Sequence, residues 1–281
     1  MNRRQAMKLR TMYNVALHHF YKGRYNEAQK LFTRSAQGGC AYAMIPLASM
    51  YYWGMGMEPD TTKAIYWLRR AADKGSHAAR KDLAIVYYNM GDSEENNKIA
   101  WEYYTQAAQL DKADLFFLGW MNFEHRGIYR DEAQRVNDAL VFFQDSLMEG
   151  NALSGLYLWK MLKDTHPEAA EAYYDDGEKL LVSPAEYSNW ACVLCKWGEP
   201  EKALPYIEEC LSIEEVIGEE NPNHLNAYAD CLYDLGRTAD AQRILARAID
   251  VCRKRDERRL LRETLENVKS YGFQIEEYIK R

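Results

Sequence analysis

Residues 43–75 read AMIPLASMYYWGMGMEPDTTKAIYWLRRAADKG, and residues 79–111 read ARKDLAIVYYNMGDSEENNKIAWEYYTQAAQLD. Eight apolar or aromatic residues of the first stretch recur in the second at a constant separation of 36 positions. Ala43, Leu47, Ala48, Tyr51, Tyr52, Ala64, Ala71 and Ala72 recur as Ala79, Leu83, Ala84, Tyr87, Tyr88, Ala100, Ala107 and Ala108. A fixed period of this length is the signature of a repeat architecture, in which each repeat is one supersecondary unit.

Within one period the apolar residues follow a helical spacing. Two sets recur at i, i+3, i+4 and i+7, namely Leu47, Met50, Tyr51 and Gly54, and then Ala64, Trp67, Leu68 and Ala71. Gly54–Asp60 separates the two sets and contains two glycines and a proline, which predicts a turn. One such helix-turn-helix unit cannot bury its apolar surface alone, so the units must stack. The sequence therefore predicts an all-α fold, a right-handed superhelical α-solenoid of stacked helix-turn-helix repeats.

The repeat resembles a known family. The pattern A-x-x-x-L-[AG]-x-x-Y-x-x-G-x-G-x-x-x-D-x-x-K-A-x-x-W-x-x-x-A-A-x-x-G is similar to the Sel1-like repeat (SLR), a relative of the tetratricopeptide repeat. It is carried here by Ala43, Leu47, Ala48, Tyr51, Gly54, Gly56, Asp60, Lys63, Ala64, Trp67, Ala71, Ala72 and Gly75. The resemblance implies a scaffold or adaptor that binds other proteins.

The same register divides the chain into repeats of one continuous solenoid over residues 1–281. Residues 10–39 resemble a plain tetratricopeptide repeat, and residues 40–75, 76–111 and 112–150 resemble Sel1-like repeats. Residues 151–182 are predicted as a degenerate helical pair with weak register. Residues 183–250 are predicted as two tetratricopeptide-like repeats. Residues 251–281 are expected to form one or two capping helices, broken at Gly272.

The composition and the net charge of the chain indicate which classes of partner molecule it is suited to bind. The chain is 47% hydrophobic and 28% charged, an ordinary globular balance, and its net charge of −6 disfavours nucleic acid as a partner. Residues 1–40 hold eight Lys/Arg and one acid, whereas residues 151–230 hold sixteen acids and five bases. A second basic cluster comprises Arg253, Lys254, Arg255, Arg258, Arg259 and Arg262. Such blocks either steer partners or are solvated helix faces.

The sequence offers no signal-peptide-like apolar stretch near residue 1 and no run of about 20 apolar residues for a membrane span. We therefore expect a cytoplasmic protein with reduced thiols, and we expect it to be a monomer that binds no membrane. The six cysteines include a C-x-x-C at Cys192 and Cys195. Because this pair lies inside a helical pattern without further ligands at zinc spacing, small buried thiols are favoured over a redox or zinc site.

The sequence contains none of the common catalytic or phosphate-binding motifs. Phosphate-binding loops, H-E-x-x-H, G-x-S-x-G and EF-hand loops do not occur, and the histidines, apart from the pair His18-His19, lie far apart. Adjacent acids such as Asp175-Asp176 lie in polar surroundings, where no cleft would raise one pKa for acid–base work. We expect no catalytic residue, no metal site and no cofactor.

A partner segment is expected to bind along the concave groove, which the first helix of each repeat lines. The residues predicted to face this groove are Tyr13, Phe20, Tyr21, Tyr42, Tyr52, Trp53, Tyr88, Trp120 and Phe123, followed by Lys196, Asn226, Asp230, Tyr233 and Asp234. Tyr and Trp dominate binding hot spots, but in stacked repeats they also pack between hairpins, and the sequence leaves both roles open. A second candidate surface is the acidic cluster Glu208, Glu209, Glu214, Glu215, Glu219 and Glu220, which would attract a basic partner or be a solvated linker.

Three functions follow from this reading. The first is a non-enzymatic scaffold that holds a protein or peptide, which the resemblance extends to a bacterial immunity protein or effector chaperone. The second is a small-molecule-sensing regulator or enzyme with its site in the groove, which would need convergent polar groups in a closed pocket. The third, nucleic acid binding through Arg253–Arg262, is disfavoured by the overall charge.

Overall fold

A computed structural model describes residues 3–255 and 258–273 of the chain, and over these residues it is entirely helical. The α-helices are α1 (Arg3–Tyr21), α2 (Tyr25–Gln37), α3 (Ala41–Trp53), α4 (Thr61–Ala72), α5 (His77–Asn89), α6 (Glu94–Ala108), α7 (Leu115–Phe123), α8 (Glu132–Met148), α9 (Ala152–Leu162), α10 (Pro167–Glu178), α11 (Pro184–Lys196), α12 (Pro200–Ile217), α13 (Pro222–Asp234), α14 (Thr238–Lys254) and α15 (Arg258–Ser270). A 3₁₀ turn at Lys112–Asp114 precedes α7.

Successive helices pack as hairpins, and the hairpins stack. Pairs α1–α2, α3–α4, α5–α6 and α7–α8 are each closely packed, as are α11–α12 and α13–α14. The second helix of each of these pairs also packs on the helix that follows it. The predicted all-α class of stacked helix-turn-helix repeats is therefore confirmed.

The chain divides into two compact units, Met1–Glu171 and Ala172–Arg281. That one solenoid runs unbroken through both units stays a prediction, as does its superhelical hand. In the first unit, the repeated alanines Ala48, Ala64, Ala71 and Ala100 are almost completely buried, since they lie where paired helices approach. Larger side chains such as Phe32, Met44, Leu47, Leu83 and Tyr104 fill the space between hairpins.

The second unit has its own core. Trp190 and Leu194 of α11 are fully buried, and Ala229, Leu232, Leu245 and Ile249 form the cluster between α13 and α14. Ser183 opens α11 with a capping box, because its hydroxyl accepts a hydrogen bond from the Glu186 N–H while the Glu186 carboxylate accepts one from the Ser183 N–H. The box satisfies backbone groups that the first turn of a helix cannot pair itself.

The α3–α4 loop explains the most specific residues of the repeat pattern. Gly54 ends α3 in the left-handed conformation (φ 66°), and Asp60 caps α4 by accepting from the Lys63 N–H at 2.9 Å. Gly56 also has a positive φ (76°), and a Cβ there would lie 2.5 Å from Cβ of Tyr25. The glycine thus lets this loop lie directly against the start of α2.

The helices add detail to the predicted division of the chain. α1 begins at Arg3, before the repeat predicted at residues 10–39, because Leu9 extends the buried stripe and packs over Gly38. Residues 151–182, where the register was weak, hold α9 and α10. α14 continues to Lys254, so the capping helix is α15, and Gly272 follows its end with φ 74°. The second capping helix expected after Gly272 falls on residues 274–281, outside the described residues.

The cysteines correct one expectation. Cys210, Cys231 and Cys252 are buried, and Cys40 and Cys195 are half-buried, but Cys192 is exposed. The prediction that both members of the C-x-x-C are buried is wrong for Cys192. Residues three apart on a helix are neighbours on its surface, but they do not point in the same direction, so α11 buries Cys195 more than Cys192. The six cysteines are all free thiols.

Candidate functional site

The predicted groove residues fall into two groups by exposure. Tyr21 is 79% exposed, Tyr42 68% and Trp53 49%, and all three belong to the first helices of the first two hairpins. Asp234, at the end of α13, is also exposed. These side chains are available to a partner, and of the predicted aromatic residues they are the three most exposed.

The remaining aromatic residues mostly pack within the fold. Tyr13 and Phe20 are half-buried, with ring centroids 6.0 and 6.3 Å from that of Phe32. Burial is the main cause that raises the pKa of Tyr13. Both rings therefore pack mainly between α1 and α2.

Tyr88 and Trp120 lie against each other, with ring centroids 4.3 Å apart. The guanidinium of Arg126 covers Tyr88 at 3.5 Å from the ring centroid, and it donates to the Tyr88 carbonyl (2.7 Å) and to Asn97 Oδ1 (2.9 Å). This arginine therefore ties the loop after α7 to both helices of the preceding hairpin. Tyr88 is part of that junction rather than a free contact surface.

Phe123 and Tyr233 are also engaged. The Phe123 ring lies edge-on to Tyr157 at 5.1 Å, and Tyr233 stacks on Tyr271 at 4.1 Å. Asp230, which accepts a hydrogen bond from the Tyr271 hydroxyl, is half-buried, and burial is the main cause that raises its pKa. Asn226 is buried and donates to the Thr264 hydroxyl. The contacts of Asn226, Asp230 and Tyr233 join α13 to the capping helix and to Tyr271 just after it. The predicted Lys196 is exposed at the end of α11.

A pocket opens between α3 and α5, beside the exposed Trp53. It has a volume of about 150 Å³ and is lined by Ala48, Ser49, Tyr52, Trp53, Leu68, Asp82, Ile85 and Val86. The Tyr52 and Trp53 rings meet edge to face at 4.7 Å and form one wall. The structure thus brings two of the predicted groove residues together at a concave site on the first helices of adjacent repeats.

Asp82 is the one charged residue in the lining of this pocket. Burial raises the pKa of its carboxyl, and the neighbouring Lys81 lowers it by a smaller amount. Lys81 itself donates to Asp114 at 3.0 Å. Among the described residues, no hydrogen bond or ion pair reaches the Asp82 carboxylate. A half-buried carboxylate left in this state among apolar and aromatic walls is unusual, because burial of an unpaired charge is costly.

A larger pocket lies in the second unit. It has a volume of about 520 Å³ and is lined by Tyr174, Glu178, Tyr187, Lys202, Pro205, Tyr206 and Glu209. Tyr174 donates to the Tyr206 hydroxyl (3.0 Å), which donates to Glu178 (2.7 Å). Burial, followed by these two hydrogen bonds, raises the pKa of Tyr206 far above its ordinary value. Its hydroxyl therefore stays protonated at neutral pH and serves as a donor rather than as a base.

Three potential metal ligands also come together in the second unit. Cys210, Glu214 and His224 have ligand atoms within 4.8 Å of one another. His224 Nδ1 lies 2.7 Å from one Glu214 oxygen, and the Asn221 N–H donates to the other at 3.1 Å. Burial, with the charge of Glu214, raises the pKa of Cys210 to about 12, so the thiol is protonated at neutral pH. These hydrogen bonds already use both carboxylate oxygens and fasten the start of α13 to α12.

Sequence reasoning missed Asp82 and Arg126. Asp82 takes the repeat position of Pro46, 36 residues earlier, and a charge one residue before the repeat leucine looks like an ordinary surface residue. The departure of Asp82 from the proline of the preceding repeat was the one available signal. Arg126 lies in the lengthened loop of the α7–α8 hairpin, where the repeat register is lost.

Comparison with known families identifies the repeats. The Sel1 repeat model matches residues 10–40, 41–76 and 77–112. Three consecutive segments of the chain thus match the Sel1 repeat, and the recognition of Sel1-like repeats is confirmed for these segments. Residues 10–39, interpreted from sequence as a plain tetratricopeptide repeat, are matched by the Sel1 model instead. The third Sel1-like repeat predicted at 112–150 lies beyond these matches and stays a prediction.

One curated relative is similar to part of the chain. The chain is 34% identical over 67 residues to the ERAD-associated E3 ubiquitin-protein ligase component HRD3A of Arabidopsis thaliana. The match covers 24% of this chain and 10% of the relative. The chain thus corresponds to about a tenth of that protein's length.

Solved structures show the same fold at low sequence identity. The protective antigen c5321 of uropathogenic Escherichia coli, which displays an SLR fold, has a TM-score of 0.52 at 16% identity over 94% of this chain and 62% of its own. A Sel1 repeat protein from Oxalobacter formigenes has a TM-score of 0.55 at 18% identity over 75% and 88% of the two chains. Yeast Tom70 has a TM-score of 0.57 at 16% identity over 97% of this chain and 62% of its own. This repeat fold is typical of protein-interaction scaffolds.

In the ranges 3–255 and 258–273, none of the helices combines the length and the apolar character needed to cross a bilayer.

Proposed function

We propose that this protein is a non-enzymatic scaffold that binds a segment of a partner protein across the first helices of its Sel1 repeats. The single observation that carries the proposal is the pocket between α3 and α5, where Tyr52 and Trp53 form an accessible aromatic wall. Aromatic side chains in a concave setting supply large contact area at low entropic cost, which is typical of binding hot spots. Tyr42, exposed on the same helix, extends the contact surface.

The repeat fold supports this role, because stacked hairpins present an extended row of side chains on one face. HRD3A, similar over 67 residues, is described as a component of a ligase, which is consistent with a Sel1 segment acting inside an assembly. A bacterial immunity protein and an effector chaperone are the two finer forms of the proposal. We further propose that the protein acts as a cytoplasmic monomer and binds neither nucleic acid nor membrane.

Affinity capture with matched variants tests the proposal. The bait is the full chain as wild type, as Tyr52→Ala/Trp53→Ala, and as Tyr66→Ala. Tyr66 is a suitable control because it is an aromatic residue of the same repeat with 52% exposure, but it lies on the second helix, α4. We expect the double variant to lose the partners that wild type and Tyr66→Ala recover in equal yield. Recovery of the same partners by all three baits would refute the placement of the site.

A small-molecule-sensing regulator is the second candidate, and the 520 Å³ pocket of the second unit is the observation that favours it. Its Tyr174–Tyr206–Glu178 chain of hydrogen bonds offers convergent polar groups beside a cation, Lys202. A screen of small metabolites by thermal shift, with wild type and Tyr206→Phe, tests this candidate. Ligands that stabilise wild type and not Tyr206→Phe would support it, whereas a screen without such ligands would remove it.

A further inference from the structure

The carboxylate of Asp82 accepts no hydrogen bond and joins no ion pair among the described residues. It projects from α5 into the wall of the pocket between α3 and α5, beside Ile85 and Val86 of its own helix. The more deeply buried Asp114 of the same unit is paired, since it lies at 3.0 Å from Lys81 Nζ and at 2.5 Å from His77 Nε2. A carboxylate that loses part of its hydration without gaining a partner costs stability, which a ligand supplying a cation would recover.

Two cations of α4 and α5 are engaged elsewhere. Lys81, next to Asp82, donates to Asp114, and Arg69 of α4 donates to the Tyr87 hydroxyl at 2.6 Å. The side chains that share the pocket with Asp82 are aliphatic or aromatic, apart from the hydroxyl of Ser49, which donates to the Ile45 carbonyl at 3.3 Å. The pocket therefore holds a negative charge that has no counter-ion in the described part of the protein.

The walls of the pocket suit the stem of a long basic side chain. Ala48, Leu68, Ile85 and Val86 offer apolar surface, and about 150 Å³ is enough for an extended alkyl chain but not for a folded peptide. The ring wall formed by Tyr52 and Trp53 adds a second attraction, since an ammonium or guanidinium group binds favourably against the face of an aromatic ring. Carboxylate, apolar walls and aromatic rings together fit a cation on an aliphatic stem.

We propose that the pocket between α3 and α5 binds a lysine or arginine side chain of the partner segment, with Asp82 as its counter-ion. The inference rests on the proposed function and adds the chemistry of the partner at that site. The charge of Asp82 fixes which residue of the segment enters the pocket, while Tyr52 and Trp53 supply contact area to whatever segment lies across them.

Selection from a random peptide library displayed on phage, with the full chain as target, supplies the probes. The enriched peptides are synthesised with lysine, arginine or norleucine at the shared basic position. Each is titrated calorimetrically against wild type, Asp82→Asn, Trp53→Ala and Asp73→Asn. Asp73, exposed at the end of α4, provides the same change of charge away from the pocket. Thermal denaturation confirms that each variant is folded.

We expect lysine and arginine peptides to bind wild type and Asp73→Asn about tenfold more tightly than the norleucine peptide. Asp82→Asn should bind all three peptides with similar, weakened affinity, so the preference for a cation disappears. Peptides that need Trp53 but carry no basic residue, or a norleucine penalty that is equal in wild type and Asp82→Asn, would overturn the inference and leave the proposed function standing. No enrichment, or binding that Trp53→Ala leaves unchanged, would overturn both.

Discussion

Gly56 provides a quantitative test of how the Sel1 loop fits against the preceding repeat. In Gly56→Ala the new Cβ meets two penalties. The residue has a φ of 76°, a conformation that costs an L-residue about 1 kcal/mol. The Cβ would also lie 2.5 Å from Cβ of Tyr25 and 3.4 Å from its carbonyl carbon, and relieving such overpacking costs about 2 kcal/mol. The expected loss is therefore about 3 kcal/mol of local stability.

Gly75→Ala is the matched control. Gly75 also has a positive φ (86°), but a Cβ there would have no heavy atom within 4 Å, so only the backbone penalty of about 1 kcal/mol applies. Both glycines lie in the first unit and in the same repeat pattern. The comparison thus separates backbone strain from the close approach of the loop to α2.

Hydrogen exchange of the amides in α2–α4, read by mass spectrometry, measures the opening of this region without requiring the whole chain to unfold in one step. Gly75→Ala should raise the opening equilibrium about fivefold and Gly56→Ala about 100-fold, since about 1.4 kcal/mol corresponds to a factor of ten. Equal increases in the two variants would refute the reasoning, because they would mean that the loop does not lie against Tyr25.

Three further predictions concern stability. Asp82→Asn should stabilise the fold by about 1 kcal/mol at pH 7, because an unpaired carboxylate is removed. Burial raises the pKa of Asp82 in the folded state, so the wild type gains stability as the pH falls through that pKa. The difference in melting temperature between Asp82→Asn and wild type should therefore disappear towards about pH 4. A gap that is constant with pH would contradict this. Arg126→Met should lower the free energy of unfolding by about 2 kcal/mol, because the hydrogen bonds to the preceding hairpin are lost. Arg130→Met removes a solvent-exposed hydrogen bond to Gln134 and should cost less than about 0.5 kcal/mol when both variants are measured by chemical denaturation. Equal costs would exclude the loop junction. Ser183→Ala should lower the stability of the second unit by about 1 kcal/mol through loss of the capping box, and unchanged exchange of the α11 amides would contradict it.

The repeat itself was predictable because its signals are local. Gly54 and Asp60 fix the end of α3 and the start of α4 by backbone conformation and capping, and the alanine spacing marks the helix faces that approach most closely. The sequence alone therefore predicts the helical hairpins of residues 40–111. The start of α1 could not, because a long amphipathic helix gives no sign of where the repeat proper begins.

The candidate site was predictable only in part. The sequence identified Tyr52 and Trp53 as candidates because they are aromatic residues on the first helix of a repeat. It could not decide between packing and exposure, since this depends on how α3 packs beside α5. The same pattern also selected Tyr88 and Phe123, which the fold uses for packing. Asp82 escaped notice because a charge on a helix is ordinary until its neighbours remove its water, and those neighbours lie on other helices.

Photo-cross-linking at Trp53 tests the central claim, that partners bind at the pocket between α3 and α5. A benzophenone-bearing phenylalanine analogue replaces Trp53 in one protein and Tyr66 in another, so that equally exposed aromatic positions on α3 and α4 of one repeat are compared in the presence of the captured partner. We predict a covalent adduct with the partner from position 53 and none from position 66. An adduct from position 66, with none from position 53, would contradict the claim.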